Sequence, residues 1–366
     1  MKKAIVHDWL TGMRGGERVL EVLCERYPDA ELFTLLHVRG SVTPVIEQRR
    51  IHTSALQYVP GVRHYYRECL LLFPMLVEQF DLERFDLVIS SSHCVAKSVV
   101  RRADATHICY CHTPMRYAWD QFNAYFGAAR IGPVASRLMR SVMARLARWD
   151  RETAGRVDRY VTNSQHVAGR IRTYYNRDAT VIHPPVDTDF FHPDSAAPER
   201  YALVVSALVP YKRLDVAIDA CRRARVPLKI VGSGPDRMRL VRSASAAGVP
   251  VEFFGRVPDE QLRDLYRRAS LTLMTGEEDF GIAPLESQAC GRPVVALARG
   301  GALETVVPGE TGVLVSDPSP AAFAEAVAYV LDARFDAGAI RRHAERFGRR
   351  RFADDLTALI GETTAC

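Results

Sequence analysis

Short apolar, β-branched runs alternate along the whole chain with longer stretches of helical periodicity. Such alternation is typical of parallel sheets whose strands are joined by crossover helices. In the first half of the chain, the predicted strands are residues 4–7, 31–36, 86–90, 107–111 and 159–162. In the second half, they are residues 202–206, 228–231, 251–254, 271–274 and 293–297. The pattern therefore predicts an α/β protein with two Rossmann-like parallel-sheet domains.

A proline-rich window separates the two halves. Residues 183–198 contain four prolines, and proline can continue neither a helix nor the interior of a sheet. Two open sheets joined by a linker would face a cleft, and such sheets bind ligands at the carboxyl ends of their strands. The predicted parts are an N-terminal domain over 1–185, a linker over 186–200, a C-terminal domain over 201–340 and a C-terminal helix over 341–366 that packs back toward the N-terminal domain.

The composition is that of an ordinary globular protein, with 48% hydrophobic and 25% charged residues. No run approaches the roughly eighteen apolar residues of a membrane-spanning helix, and Asp8 interrupts any leader-like N-terminus. The eight cysteines are scattered, as expected for reduced thiols. Cys109, Cys111 and His112 lack the second ligand pair of a zinc site. We therefore expect a cytoplasmic protein that needs neither a metal nor a cofactor.

The net charge of +6 comes from arginine. Arginines crowd two predicted helical stretches, Arg137–Arg151 and Arg341–Arg351. One interpretation is two solvated helix faces. The other is attraction to an anionic surface, either phospholipid or a phosphorylated substrate. Nucleic acid is not an expected partner, because neither aromatic interleaving nor a recognition motif accompanies these charges.

The most informative segment is Glu277–Glu286, which joins the predicted strand to a short helix over residues 284–290. Free backbone N–H groups at the positive end of a helix form an anion site. Those N–H groups belong to Gly281, Ile282 and Ala283. Glu278 precedes this site, and Glu286 lies just beyond it in the first turn. An anionic group bound at this site would have one carboxylate on each side. That arrangement suits a sugar, then phosphates, then a ribose.

Other strand ends carry residues that could complete such a site. Gly15 and Gly16 follow the first strand and permit close backbone approach, although turn glycines of this kind are common. His112 ends the strand over 107–111 and can donate or accept a hydrogen bond near neutral pH. Arg116 and Asp120 follow it, and they either serve an acceptor or form a structural ion pair.

Two adjacent cations, Lys212 and Arg213, follow the first strand of the second half. Preorganised cations of this kind can neutralise a diphosphate leaving group. The chain has no Gly-x-x-x-x-Gly-Lys phosphate loop and no nucleophile elbow. Anion chemistry must therefore rest on helix ends and basic side chains.

These motifs together resemble the retaining glycosyltransferases of family 4, which have the GT-B fold. The motifs are Gly15-Gly16, His112, Lys212, the Glu278–Glu286 pair and Gly300–Val306. The likeness covers nearly the whole chain. The segment Tyr110–Asp120 is similar to a bacterial branch that builds surface polysaccharides, often with mannose.

The resemblance implies a role for each matching position. Glu278 would contact hydroxyls of the donor sugar, Glu286 the ribose, and Lys212 the diphosphate. His112 would lie beside the transferred sugar. The remaining donor contacts would come from Gly15 and Gly16 and from the backbone N–H groups of residues 281–283. The backbone of residues 254–257, which end at Val257, would contact the nucleotide base.

One position departs from the family pattern. Ala207 stands where many members have an arginine, so Arg213 or another cation has to substitute, or the donor sits differently. A retaining glycosidase would place two carboxylates ~5 Å apart around the bond. Here an anion site separates Glu278 from Glu286, which favours same-face substitution with the leaving phosphate taking the acceptor's proton.

The resemblance predicts transfer of a hexose to a growing, lipid-linked glycan, with mannose from GDP-mannose as the leading donor. Apolar residues Tyr65–Leu76 beside Arg63 and Arg67, together with Arg137–Arg151, could dock the enzyme on the inner face of the plasma membrane. Two ordinary helices would give the same pattern. A nucleotide-sugar epimerase of the same fold and a non-catalytic sugar-nucleotide-binding protein remain alternatives.

Overall fold

The computed structural model describes residues 1–195, 197–245 and 248–365. Ala196 of the predicted linker and Cys366 at the end of the predicted C-terminal helix lie outside the described residues. The chain forms two compact units, which are Met1–Pro185 with Phe352–Cys366, and Val186–Arg351. Each unit is built on one parallel sheet, which confirms the predicted fold class.

The first unit holds a sheet of seven strands that pair in parallel. The strands are β1 Lys3–His7, β2 Glu31–Thr34, β3 Ile51–Thr53, β4 Leu87–Ser92, β5 Thr106–Cys111, β6 Arg159–Thr162 and β7 Ala179–Val181. Their order across the sheet is β3-β2-β1-β4-β5-β6-β7. All five predicted strands are present, and the two edge strands, β3 and β7, are additional.

Helices cover both faces of this sheet. Successive residues of a strand point to opposite sides, so each strand contributes to a core on either face. Ala4 and Val6 of β1 join one core cluster, and Ile5 joins the other. The α-helices of this part of the chain are α1 Gly15–Arg26, α2 Pro44–Glu47, α3 Phe73–Glu78, α4 Arg116–Trp119, α5 Phe122–Phe126, α6 Ala128–Ile131, α7 Pro133–Glu152 and α8 Gln165–Tyr175. Short 3₁₀ helices lie at Ala55–Tyr58, Val62–His64, Tyr66–Leu72, Ala96–Ser98 and Thr153–Arg156.

The second unit has a six-stranded parallel sheet. Its strands are β8 Ala202–Val205, β9 Leu228–Val231, β10 Val251–Gly255, β11 Leu271–Met274, β12 Val294–Leu297 and β13 Gly312–Val315, in the order β10-β9-β8-β11-β12-β13. Its α-helices are α9 Leu214–Ala224, α10 Arg237–Ser245, α11 Asp259–Arg268, α12 Ile282–Ala289, α13 Ala302–Thr305, α14 Pro320–Asp332 and α15 Ala337–Glu345. A 3₁₀ turn at Pro210–Lys212 follows β8. The edge strand β13 was not predicted.

Residues 341–366 do not form one continuous helix. Helix α15 ends at Glu345, and helix α16 runs from Arg349 to Ala365. From Phe352 onward, α16 belongs to the first unit, where Phe352 and Leu356 are buried in the same core cluster as Ile5. The clustered arginines at 341–351 are therefore divided between two helices.

The stretch predicted as a linker, residues 186–200, belongs to the second unit. Its described residues form neither a helix nor a strand, but Val186 and Phe191 are buried. Across residues 1–195, 197–245 and 248–365, no helix combines the length and apolar character needed to cross a bilayer.

Candidate functional site

In the first unit, the carboxyl ends of three neighbouring strands bring three polar side chains together. His7 ends β1, Ser91 lies near the end of β4, and His112 directly follows β5. The Ser91 hydroxyl oxygen lies 2.8 Å from His112 Nε2 and 3.1 Å from His7 Nδ1. Ser91 therefore connects the predicted site residue His112 to a second histidine.

The beginning of helix α1 lies against the same two histidines. A Cβ atom added to Gly16 would lie 3.6 Å from His112 Nε2 and 3.6 Å from His7 Cε1. Gly15 begins the helix, and Glu17 in its first turn places a carboxylate oxygen 3.9 Å from His7 Nε2. The structure thus brings the predicted residues Gly15, Gly16 and His112 into one cluster.

The histidines of this cluster lie in a low-dielectric environment. Burial lowers the pKa of His112 well below its ordinary value, and the neighbouring His93 and His7 add to this effect. Burial also lowers the pKa of His93, although Asp8 opposes the change. Asp8 is itself buried, and its carboxylate accepts hydrogen bonds from the backbone N–H groups of residues 93–96. His112 is therefore neutral at physiological pH.

The predicted acceptor-side residues lie on or next to helix α4. Arg116 begins this helix, and Asp120 follows its last residue. Asp120 forms an ion pair with Arg170 of α8 at 2.8 Å. The neighbouring Trp119 donates its indole N–H to the buried Asp150. These contacts hold this segment against helices α7 and α8.

In the second unit, Lys212 and Glu278 form a direct ion pair, with both side chains largely buried. Two features hold their loops together. The Thr275 hydroxyl donates to the Arg213 carbonyl at 2.8 Å, and a Cβ atom added to Gly276 would lie only 2.7 Å from Lys212 Cα. The sequence predicted both charged residues, and the structure places them in contact.

Helix α12 begins at Ile282, two residues before the predicted start, with Gly281 as its N-cap. The backbone N–H groups of Gly281, Ile282 and Ala283 therefore lie at the positive end of this helix, as predicted. Glu286 accepts a hydrogen bond of 2.8 Å from the hydroxyl of Tyr266. Burial, followed by the charge of Glu286, raises the pKa of Tyr266 well above its ordinary value.

The glycine-rich segment that begins at Gly300 supports the loop that carries Glu278. The backbone N–H of Gly301 donates to the Glu278 carbonyl at 2.9 Å. A Cβ atom added to Gly301 would lie 2.2 Å from Phe280 Cα, so only glycine fits this approach.

Three positions of interest lie at the margins of this cluster. Arg213 is exposed and pairs with Asp215 at 3.5 Å. Ala207 is exposed just beyond β8, and Val257 is half-buried two residues beyond β10. Among the described residues, no group of three or more histidine, cysteine, aspartate or glutamate side chains could hold a metal ion.

Sequence reasoning missed several residues that position the predicted ones. They are His7, Glu17, Ser91, Tyr266 and Thr275. The available signal was placement, because His7, Ser91 and Thr275 are polar residues at or near the carboxyl ends of predicted strands. Tyr266 lies within a helix, where its sequence gives no comparable signal.

Two family models match the chain in succession. The model described as Glycosyltransferase Family 4 matches residues 13–190. The model described as Glycosyl transferases group 1 matches residues 186–351. Together they cover residues 13–351, which include every predicted site residue.

Curated proteins named D-inositol 3-phosphate glycosyltransferase are similar to this chain. The protein from Acidothermus cellulolyticus is 34% identical over 223 residues, which are 52% of this chain and 50% of the relative. The protein from Salinispora tropica is 34% identical over 260 residues, which are 59% of this chain and 53% of the relative. The chain thus spans about half the length of the curated relatives it matches.

Solved structures extend the likeness to the whole chain. Sucrose-phosphate synthase from Thermosynechococcus elongatus has a TM-score of 0.75 at 17% identity and covers 100% of both chains. The HepE protein of Anabaena in complex with UDP has a TM-score of 0.72 at 16% identity and covers 99% of this chain and 100% of its own. At such identities, the likeness shows the GT-B fold alone.

Proposed function

This chain belongs to the family 4 glycosyltransferases, and from that membership we propose that it moves a hexose from a nucleotide sugar to an acceptor hydroxyl with retention. The observation that carries the proposal is the Lys212–Glu278 ion pair beside the N-terminus of α12. It combines a cation for a diphosphate, backbone N–H donors and carboxylates for hydroxyl groups.

Donor binding follows from this arrangement. The Lys212 ammonium neutralises the diphosphate, while the N–H groups at the start of α12 face the same charge. Glu278 accepts hydrogen bonds from the hexose, and Glu286, held by Tyr266, accepts them from the ribose. The role proposed for His112, a contact with the transferred sugar, rests on the family likeness alone.

The reaction is a same-face substitution. The bond between the anomeric carbon and the diphosphate oxygen breaks, and the acceptor oxygen forms its new bond on the face from which the diphosphate departs. The acceptor's proton passes to a departing phosphate oxygen, so the products are a glycoside and a nucleoside diphosphate. Lys212 and the helix N-terminus stabilise the charge that develops on the leaving group.

Two substitutions test the catalytic assignment. Lys212→Ala and Glu278→Ala should each lower kcat by about 10²–10³-fold, the usual effect of removing one group that stabilises transition-state charge. Lys229→Ala is the matched control, because Lys229 also pairs with a glutamate in this unit, Glu199, at 3.6 Å. Parental turnover in both site variants, or a product of inverted anomeric configuration, would refute the proposal.

GDP-mannose is the proposed donor, on the family likeness of the segment Tyr110–Asp120. A thermal-shift panel of GDP- and UDP-hexoses tests it, because a ligand at about 100 times its Kd adds ~2.7 kcal/mol of stability. The largest shift should come with GDP-mannose, and a larger shift with a UDP-hexose would replace the donor while leaving the reaction class intact.

The proposed acceptor is a lipid-linked glycan reached at an anionic membrane. Leu71, Leu72 and Met75 are exposed, as are Val134 and Leu138 at the start of α7. Both segments contribute buried residues to one core cluster of the first unit, namely Leu70, Phe73 and Leu76 from the first and Met143 and Leu146 from α7. Exposed arginines accompany them at positions 63, 67 and 137.

Cosedimentation with vesicles tests this surface. Binding should require anionic lipid and weaken as salt rises, since each basic residue near such a surface contributes about 1 kcal/mol. Replacing Leu71, Leu72 and Met75 by serine should reduce binding, whereas Tyr329→Ser, at an exposed tyrosine of the second unit, should not. Equal binding to neutral vesicles would contradict the proposal.

A second acceptor is favoured by the curated relatives, whose names specify an inositol 3-phosphate. Activity with a soluble inositol phosphate and no vesicles would support that acceptor. Interconversion of nucleotide sugars without any acceptor would instead indicate an epimerase. Donor binding without turnover across all acceptors would indicate a non-catalytic binding protein.

A further inference from the structure

A connected chain of polar side chains lies behind His112 in the first unit. It runs from Glu17 through His7 and Ser91 to His112. Glu17, His7 and Ser91 are each buried, so water does not compete for these contacts. His7, Ser91 and His112 therefore have few choices for where their hydrogens point.

The directions of the hydrogen bonds that link His7, Ser91 and His112 follow from counting hydrogens. A serine hydroxyl has a single hydrogen, so Ser91 donates to one histidine and accepts from the other. A neutral histidine likewise carries one N–H and one lone pair. When His7 and His112 are both neutral, the position of the proton on His7 therefore fixes its position on His112.

Glu17 determines where that proton lies. It sits in the first turn of α1, where the helix dipole favours a negative charge. Although burial acts in the opposite direction, His7 holds the pKa of Glu17 below its ordinary value, so Glu17 is a carboxylate. His7 Nε2 is buried and makes no hydrogen bond within the described part of the chain, and the Glu17 oxygen at 3.9 Å is an acceptor only. The proton of His7 therefore lies on Nε2, facing Glu17.

We propose that Glu17, His7 and Ser91 are positioning residues that fix His112 as the Nε2–H tautomer and leave its Nδ1 as a hydrogen-bond acceptor. With the proton on His7 Nε2, His7 Nδ1 accepts from the Ser91 hydroxyl, and the Ser91 oxygen accepts from His112 Nε2–H. The free Nδ1 lone pair then orients a hydroxyl of the transferred hexose. This last step rests on the proposed function, whereas the tautomer does not.

Nitrogen NMR of the full-length chain, labelled with ¹⁵N-histidine, tests the tautomer directly. The resonances of His112 are assigned by their loss in His112→Gln. The proposal requires an Nε2–H imidazole in the parent chain. Ser91→Ala should produce a mixture of His112 tautomers. Glu17→Gln should do the same, because the glutamine amide can donate to His7 Nε2.

The chain supplies a matched control on the same strand. Ser90 is the neighbouring residue of β4, and its hydroxyl oxygen lies 2.8 Å from Nε2 of a different buried histidine, His107. Ser90→Ala therefore removes a serine–histidine hydrogen bond of the same length without touching His112. It should leave the His112 tautomer and kcat unchanged while lowering stability as much as Ser91→Ala does.

Kinetics separate positioning from a merely structural role. Ser91→Ala and Glu17→Gln should lower kcat roughly ten-fold, the value of one oriented hydrogen bond, with little change in donor KM. An Nδ1–H tautomer in the parent chain would overturn the proposal, as would equal effects of Ser90→Ala and Ser91→Ala on kcat. If no donor is turned over at all, the transferase proposal fails, while the NMR result still decides the tautomer.

Discussion

Glu286 depends on one buried hydroxyl, which makes it a sharp test of donor binding at the level of a single residue. Tyr266 is fully buried and donates to Glu286 at 2.8 Å. Tyr266→Phe keeps the ring and removes this hydrogen bond. We expect a three- to ten-fold higher donor KM with a nearly unchanged kcat, because a hydrogen bond contributes about 0.5–1.5 kcal/mol.

Tyr201→Phe is the control for this change. Tyr201 belongs to the same core cluster and donates to the Leu265 carbonyl at 2.6 Å, so its substitution removes a comparable buried bond away from Glu286. Steady-state kinetics with saturating acceptor measure both variants. An equal rise in KM for the two would show that Glu286 does not contact the donor.

Ala207 offers a gain-of-function test of the phosphate site. It is exposed beyond β8, in the same loop that leads to Lys212. Ala207→Arg should lower the donor KM several-fold at low ionic strength and lose this advantage as salt rises, because exposed charge interactions are screened. Ala207→Gln supplies the neutral comparison. An unchanged KM would mean that another cation already occupies the role.

The sequence identified residues with a distinctive motif and missed those placed by strand pairing. Lys212 and Glu278 could be predicted because family likeness and charge coincide at strand ends. Ser91 offered only its placement near a strand end, because its contact with His112 depends on the pairing of β4 with β5, in which Ser91 lies opposite Tyr110. Burial of a serine between two histidines has no signature in the local sequence.

At the level of elements, the site depends on the close approach of two loops. A Cβ atom at Gly276 would lie 2.7 Å from both Lys212 Cα and the Tyr211 carbonyl oxygen, and both are backbone atoms that cannot rotate away. Gly276→Ala should therefore separate Lys212 from Glu278. We expect kcat/KM to fall at least about ten-fold, since small misplacements of a catalytic group have large effects.

Gly169→Ala provides the matched substitution for that prediction. Gly169 lies within helix α8, and an added Cβ atom would meet nothing within 4 Å. Alanine should raise stability there by about 1 kcal/mol and leave kinetics unchanged, because glycine is unfavourable inside a helix. Parental activity in Gly276→Ala would show that the loop contact is dispensable.

The elements that the sequence failed to predict share a physical cause. Strands β3 and β7 have only three residues each, all half-buried, and β13 contains a glycine. Edge strands pack against one neighbour instead of two, so they need no continuous apolar run. Central strands such as β4, whose six residues are all buried, gave the clear pattern.

At the level of the whole molecule, the sequence predicted two sheets but not the path of the chain between the units. The two units divide within the proline-rich window, between Pro185 and Val186, yet Val186 and Phe191 of that window are core residues. Similarly, Phe352 and Leu356 complete a core whose other members include residues from Ile5 to Ile182 of the first unit. Such long-range burial depends on tertiary packing, which local periodicity does not encode.

Buried histidines give the molecule a predictable response to acid. His107 is completely buried; its Nδ1–H donates to the Arg156 carbonyl, and its Nε2 accepts from the Ser90 hydroxyl. Burial lowers the pKa of His107 to about 4. The pKa values of His93, His112 and His343 are also lowered, with burial as the largest cause in each.

The sign of the effect follows from proton binding. In the unfolded chain these histidines bind a proton near pH 6.5, whereas His107 in the folded chain resists protonation down to about pH 4. Stability is therefore complete above pH 6.5 and falls as the pH drops through this window, by up to roughly 3 kcal/mol from His107. Thermal unfolding between pH 7.5 and 5 should show a steadily falling Tm. His107→Gln should be less stable at neutral pH but should show a shallower dependence of Tm on pH. A slope identical to that of the parent chain would contradict the role of His107 in acid destabilisation.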